Sequence, residues 1–323
     1  LRNLGAPLCH YKVCSTFDSS ATVGSIGHAT DIGQAVFGSR FTPMLVAAPS
    51  LGRHMAFGNL FATVGDVTYR LDRHPTMSRH PITPMNEADL RLHLAAQTSK
   101  RIGLIDVLQL DGPDAALDAR LSALRAAGVE IVLLDTMTDD HLCTVGRLMD
   151  ALTEEGPLFV VGSSGVEYAL TAWWQRTGVI APPAPLPWPG EAEQIIVMSG
   201  SASPVTAGQI DWALEHGYAG LRLPTESLLD SATRETARRK VLAAALDALA
   251  SGRSLVLYAT RGPDDPAIAA TRAVGRAAGR DPAATGRTLA RLQGEILRVL
   301  IQETGLTRVC VTGGDSSGQV AHA

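Results

Sequence analysis

Glu130-Ile131-Val132-Leu133-Leu134-Asp135 is the stretch that decides the fold. Four consecutive aliphatic residues bounded by acids predict a strand buried on both faces. Upstream, Leu117, Leu121 and Leu124 recur at helical spacing and predict a helix over 114–127, stopped by Gly128. Before that helix, Arg101-Ile102-Gly103-Leu104-Ile105-Asp106-Val107 reads as another strand, and Thr42-Pro43-Met44-Leu45-Val46-Ala47-Ala48-Pro49 as an earlier one. Downstream, a helix over 139–152 leads to the strand Leu158-Phe159-Val160-Val161. Gly162-Ser163-Ser164-Gly165 then turns into a helix over 166–176. Strands alternating with helices imply a mainly parallel sheet covered on both faces.

The rhythm breaks at 181–190, where five of ten residues are proline. Such a stretch forms neither a helix nor a central strand and reads as a linker. It then restarts. Gln194-Ile195-Ile196-Val197-Met198, Gly220-Leu221-Arg222-Leu223, Ser254-Leu255-Val256-Leu257-Tyr258 and Arg308-Val309-Cys310-Val311-Thr312 read as strands. Helices are predicted over 205–217 and 231–251, and a short turn plus a long helix over 284–304. The expected fold class is α/β, with two domains, each a mainly parallel sheet flanked by helices. The expected division is a domain over 1–180, a proline-rich linker over 181–190 and a second domain over 191–323.

The 323 residues suit two domains, and 46% hydrophobic content supplies two cores. A net charge of −4 and a longest basic run of only Arg238-Arg239-Lys240 argue against a nucleic-acid partner. The four cysteines lack metal-site spacing and read as reduced thiols of a cytoplasmic protein. No stretch is apolar for the ~20 residues a membrane span needs.

Several loops could carry chemistry. Gly313-Gly314-Asp315-Ser316-Ser317-Gly318 and Ser199-Gly200-Ser201-Ala202-Ser203 each follow a strand. Glycine lets the backbone approach a ligand, and free N–H groups at a helix start bind phosphate. Neither loop matches the P-loop pattern, and no dinucleotide fingerprint opens a strand–helix unit. Between Lys12 and Gly27, Lys12 suits a carboxylate, while Ser15, Thr16, Asp18 and Ser19 suit the hydroxyls of a polyol acid. The same residues also read as a strand end in which Asp18 or Ser19 caps a helix over 29–36. The segment 72–85 holds Arg73, Arg79, His74 and His80 among prolines. It reads either as an anion site or as a surface loop, and the two histidines lack the spacing of a metal pair. Asp139-Asp140 reads as a helix N-terminal pair and Asp264-Asp265 as a turn.

Taken together these motifs resemble the four-carbon acid sugar kinases. The resemblance rests on Tyr11-Lys12-Val13-Cys14-Ser15-Thr16-Phe17-Asp18-Ser19 with Gly24-Ser25-Ile26-Gly27, and on Gly52-Arg53 with Gly58-Asn59-Leu60-Phe61. His80-Pro81-Ile82-Thr83-Pro84-Met85, Gly162 to Gly165, Ser199 to Thr206 and Gly313 to Gly318 follow in the same order. It covers nearly the whole chain. It implies ATP- and Mg²⁺-dependent phosphorylation of the 4-hydroxyl of threonate, erythronate or 3-oxo-tetronate, with the acid on the first domain and ATP on the second. It implies nucleotide contacts from Ser201, Gly313, Gly314, Asp315 and Ser316. Substrate contacts would come from Lys12, Ser15, Asp18, Ser19, Arg53, Gly162, Ser163, Ser164 and Gly165. Asp18 and Asp315 are the two candidates for the base. A small-molecule acid and ATP are the implied partners, and a homo-oligomer is left open. An opening Asp-Asp-Phe-Thr-Gly type motif and a closing Lys-Ser-Gly-Asn-Phe-Gly type loop are not found between Leu1 and Ala323, so the expectation is a truncated, inactive product. The alternative is a non-catalytic sugar-acid or nucleotide sensor.

Overall fold

A computed structural model describes residues 2–80 and 82–323. Leu1 and Pro81, the latter part of the His80–Met85 motif, lie outside the described residues, as does the side chain of Asp315. The chain divides into two compact units, one up to Pro185 and one from Leu186 onward, so the division falls inside the proline-rich stretch.

The first unit is built on a five-stranded parallel sheet. Its strands are β1 (Leu8–Lys12), β2 (Thr42–Leu45), β6 (Ile102–Ile105), β7 (Ile131–Leu134) and β8 (Leu158–Gly162), in the order β1-β8-β2-β7-β6. The three central strands are the three whose residues are all buried, and the two edges are partly exposed. Position in the sheet thus follows apolar run length. Met44, Leu45, Ile131, Leu133, Val160 and Val161 are fully buried, each contributing about 1.5–3 kcal/mol. Helices α1 (Ile26–Phe37), α2 (Leu90–Ala95), α3 (Val107–Leu110), α4 (Asp114–Ala126), α5 (Asp139–Thr153) and α6 (Gly165–Arg176) connect the strands.

Between β2 and α2 the chain makes an antiparallel sheet that sequence periodicity does not announce: β3 (Arg53–Ala56), β4 (Asn59–Val64) and β5 (Val67–Arg70), in the order β3-β4-β5. Its strands are short and polar, so only alternate residues such as Met55, Leu60 and Ala62 are buried.

Helix starts follow their caps. The Ser25 side chain, not Asp18 or Ser19, caps α1 by accepting from His28 N. The helix thereby starts three residues before the 29–36 expected, and Ile26 and Gly27 already face the interior. Thr138 caps α5, with Asp139 and Asp140 in its first turn, where the helix dipole favours them. At the start of α6, a β-carbon on Gly165 would collide with the Ala47 carbonyl, so α6 can lie this close to the end of β2 only as glycine.

The second unit has a four-stranded parallel sheet of β9 (Ile196–Ser199), β10 (Ala219–Arg222), β11 (Leu255–Tyr258) and β12 (Val309–Thr312), in the order β10-β11-β9-β12. Its helices are α7 (Pro204–Glu215), α8 (Thr225–Leu229), α9 (Arg234–Ala250), α10 (Pro266–Ala277), α11 (Pro282–Thr304) and α12 (Gly314–His322). The expected turn lies over Pro263 and Asp264, and α10 follows it directly: Asp265 is its N-cap and Pro266 its first residue. Residues 284–304 belong to one continuous helix, α11, capped by Asp281 and stopped by left-handed Gly305. No described helix is long and apolar enough to cross a membrane.

Candidate active site

In parallel sheets, ligands bind beyond the carboxyl ends of the strands. In the first unit β1 ends there at Lys12, in register with Gly162 at the end of β8. Val13 N donates to Gly162 O over 2.7 Å, and Lys12 Nζ donates to Val13 O over 3.1 Å, leaving the ammonium exposed. The following turn is tight. Phe17 is fully buried yet has φ of 53°, a left-handed conformation that costs a non-glycine residue about 1–3 kcal/mol. It is over-determined by burial and by the Phe17 N to Cys14 O bond of 3.0 Å.

That turn presents Asp18. Its Oδ1 accepts from the Thr16 hydroxyl at 2.6 Å and its Oδ2 from the Thr83 hydroxyl at 3.3 Å. Thr83 Oγ1 also lies 2.9 Å from His80 Nδ1, which accepts from Thr83 N. Ser15 is half-buried. Ser19 differs: it is 2% exposed, donates to Phe17 O, accepts from Gln97 Nε2 at 2.9 Å, and lies 3.1 Å from His93 Nε2. Its hydroxyl is taken up by the protein. Burial pushes the His93 imidazole below its usual range. Gln97 in turn accepts from Ile26 N and fixes the start of α1.

Ser163 is also fully buried, and its hydroxyl accepts from Gly165 N at 3.0 Å. Gly162 and Gly165 pack against the Leu45 and Ala47 carbonyls. Of this turn only Ser164, half-buried and without a capping bond, faces outward. Arg53 lies on the three-stranded sheet. Its Nη1 donates to the carbonyls of Leu51, Gly52 and Thr63 at 3.0–3.3 Å.

Sequence reasoning missed Asp135, at the carboxyl end of β7. It is fully buried, and its carboxylate accepts from Gly58 N at 3.0 Å and Val107 N at 3.2 Å. Burial pushes its pKa up to about 6 despite those bonds. It ties the Phe57-Gly58 tip of the β3–β4 hairpin to the sheet edge. Its place at a strand end was the available signal.

In the second unit β9 and β12 are neighbours, with Ser199 and Thr312 in register. The two loops expected to bind phosphate therefore lie side by side. Gly200 N donates to Thr312 O at 3.0 Å. A β-carbon on Gly200 would stand 2.5 Å from Ser316 Oγ, and one on Gly313 would come nearer still. Gly313 has φ of 126°, open to glycine alone, and caps α12 without a side chain, so the first-turn amides keep their hydrogens free. The Ser316 hydroxyl is buried and has no partner. Ser201 is held still: its Oγ accepts from Ser203 N and the Thr206 hydroxyl, and its carbonyl accepts from Thr260. Gln293, 1% exposed, braces the loop from behind by donating to Ser199 O. Amides and hydroxyls of the two loops thus lie side by side at the strand ends. Further along the same edge Arg222 pairs with Asp265 at 2.5 Å and holds its pKa down at about 2.

Two parallel α/β units, one with a carboxylate among hydroxyls and one with two adjacent glycine-rich loops, fit a phosphotransferase. The family profile of the sugar-binding N-terminal domain matches residues 1–170, and that of the nucleotide-binding C-terminal domain matches residues 196–323. The chain is 49% identical over 321 residues to a 3-oxo-isoapionate kinase of Paraburkholderia graminis, covering 99% of this chain and 68% of that protein. It is 32% identical over 323 residues to a 3-oxo-tetronate kinase of Pseudomonas fluorescens, covering 100% and 69%. A crystal structure from Salmonella typhimurium LT2 superposes with a TM-score of 0.73 at 29% identity, covering 100% of this chain and 71% of that one. A Haemophilus influenzae structure gives 0.64 at 26%, covering 100% and 72%. The chain belongs to the four-carbon acid sugar kinase family. It is a carbohydrate kinase that uses ATP on a small-molecule acceptor.

Proposed function

We propose that the protein phosphorylates a hydroxyl of a small 3-oxo sugar acid. 3-Oxo-isoapionate is the first candidate and 3-oxo-tetronate the second, ahead of threonate and erythronate. The observation that carries this order is the 49% identity to the 3-oxo-isoapionate kinase across 99% of the chain.

Phosphoryl transfer asks for positioning and charge neutralisation more than covalent help. Asp18 is proposed as the base that receives the proton of the attacking hydroxyl, its two oxygens held in line by Thr16 and Thr83. Lys12, exposed at the end of β1, would neutralise acceptor or phosphoryl charge, and Ser15 and Ser164 would bond acceptor hydroxyls. Ser19, Ser163, Gly162 and Gly165 would hold these residues in place. In the second unit the amides of Gly313 to Ser316, the Ser316 hydroxyl and the Ser201 turn would receive the nucleotide phosphates. Asp315, second residue of α12, is the carboxylate of that loop and the other candidate base. The two loops offer mainly hydroxyls and amides, which suits a nucleotide arriving with its own Mg²⁺. That ion would supply charge neutralisation between phosphate oxygens. A cytoplasmic location goes with this reading.

The test is ADP release by the purified protein with ATP and Mg²⁺, against 3-oxo-isoapionate, 3-oxo-tetronate, D-threonate and D-erythronate in parallel. The expected result is the highest kcat/KM with 3-oxo-isoapionate. A preference for a non-oxidised acid, or no turnover of any of the four, overturns the proposal.

A further inference from the structure

Two buried nitrogen donors on the inner face of the three-stranded sheet have no acceptor. Arg53, Ala62 and Tyr69 stand in register across β3, β4 and β5, and Ala62 is fully buried, so this row faces the interior. The Tyr69 ring meets His74 edge to face, with centroids 6.0 Å apart. His74 is 4% exposed. Its Nδ1 accepts from Thr76 N at 3.2 Å and Met77 N at 3.1 Å. A nitrogen that accepts two amide hydrogens carries a lone pair, so the ring proton sits on Nε2. Burial, and then the charge of Arg53, keep the imidazole below its usual range and therefore neutral. The Nε2–H is buried without a partner, and so is the Nε–H of Arg53. Since Arg53 Nη1 is committed to three backbone carbonyls, the guanidinium cannot turn to find one.

Buried donors in native proteins are almost always satisfied. Here both orphans are donors, one belongs to a permanent cation, and both are fixed by other bonds. The missing acceptor is anionic by this inventory. The His74 segment runs on to Thr83, whose hydroxyl holds Asp18, so the orphan pair and the proposed base are joined by one short stretch of chain.

We infer that Arg53 Nε and His74 Nε2 form an oxyanion recess that takes the carboxylate of the sugar acid. This rests on the kinase reading above and adds to it the group that selects acids over neutral sugars.

His74→Asn tests it. The Asn side-chain oxygen replaces Nδ1 as acceptor for Thr76 and Met77, while the Nε2 donor is lost. The expected result is a KM for the acid raised roughly tenfold to a hundredfold, with KM for ATP unchanged. Arg53→Lys, which keeps the charge and loses the Nε donor, should act in the same direction. Turnover with an unchanged KM for the acid in His74→Asn overturns the recess while leaving the kinase reading intact. A second readout needs no turnover. In protein labelled with ¹⁵N-histidine, the His74 Nε2 resonance should shift on adding the acid that turns over, or D-erythronate if none does, and stay in place with erythritol. No shift with the acid, or an equal shift with erythritol, means that the recess holds only water and overturns the inference.

Discussion

The Thr83 hydroxyl donates to Asp18 Oδ2 over 3.3 Å, joining the turn after β1 to a loop that precedes α2. With Thr16 on the other oxygen, Asp18 keeps two hydroxyl partners and a half-exposed carboxylate. Asp18→Asn should lower kcat by roughly 10²–10⁴-fold, the usual worth of a positioned base, with little change in KM for ATP. Thr83→Val should lower it less, because Thr16 still orients the carboxylate. Steady-state ADP release checks both. A kcat within twofold of the parent in Asp18→Asn would move the base to Asp315.

Gly313 and Ser316 separate binding from folding. Gly313→Ala forces a β-carbon onto the Ser316 hydroxyl in a backbone conformation closed to alanine. It should weaken ADP binding by more than about tenfold and also lower the melting temperature. Ser316→Ala removes a hydroxyl that is buried without a partner, so stability should hold or rise while ADP binding weakens by roughly tenfold. Calorimetric titration and thermal melting of both variants distinguish the two effects.

Asp135 predicts an unusual pH dependence. Its folded pKa is about 6 against an ordinary value of 3.8, so the folded state binds the extra proton between those values. The stability it contributes is therefore greatest in acid and declines as pH rises from about 4 to about 6, by up to about 3 kcal/mol. Asp135→Asn cannot titrate. Urea melts at a series of pH values should show parent stability falling relative to the variant across that window, and a constant difference would refute the assignment.

Asp265 works in the opposite sense. The Arg222 guanidinium holds its pKa at about 2, so its contribution is full above about 4 and lost as pH falls toward 2. Arg222 is half-exposed, which limits the pair to about 1–2 kcal/mol. Arg222→Met should cost that much at pH 7 and nothing near pH 2, read from the same kind of melts.

The parallel sheets were legible because strands buried on both faces must be apolar throughout, as in Ile131 to Leu134 and Leu158 to Val161. The antiparallel sheet of Arg53 to Arg70 was not, since a face half in water gives short alternations indistinguishable from loop. Helix α10 was not expected after the Asp264-Asp265 turn, although an acid followed by proline opens helices readily. The neighbouring loops Ser199 to Ser203 and Gly313 to Gly318 were visible as local glycine and serine. Pairings such as Asp18 with Thr83 and Asp135 with Gly58 depend on distant segments meeting, which no local pattern encodes.

Strand β1 pairs in parallel with β8, Leu8 opposite Leu158. On a ribosome that pairing must wait until a segment about 150 residues after β1 has emerged and docked beside β2. The loop that carries Asp18 hangs from β1. The setting of Asp18 is thus among the late features of the first unit to be assembled, and a nascent chain released early would lack it while already holding the hairpin that bears Arg53.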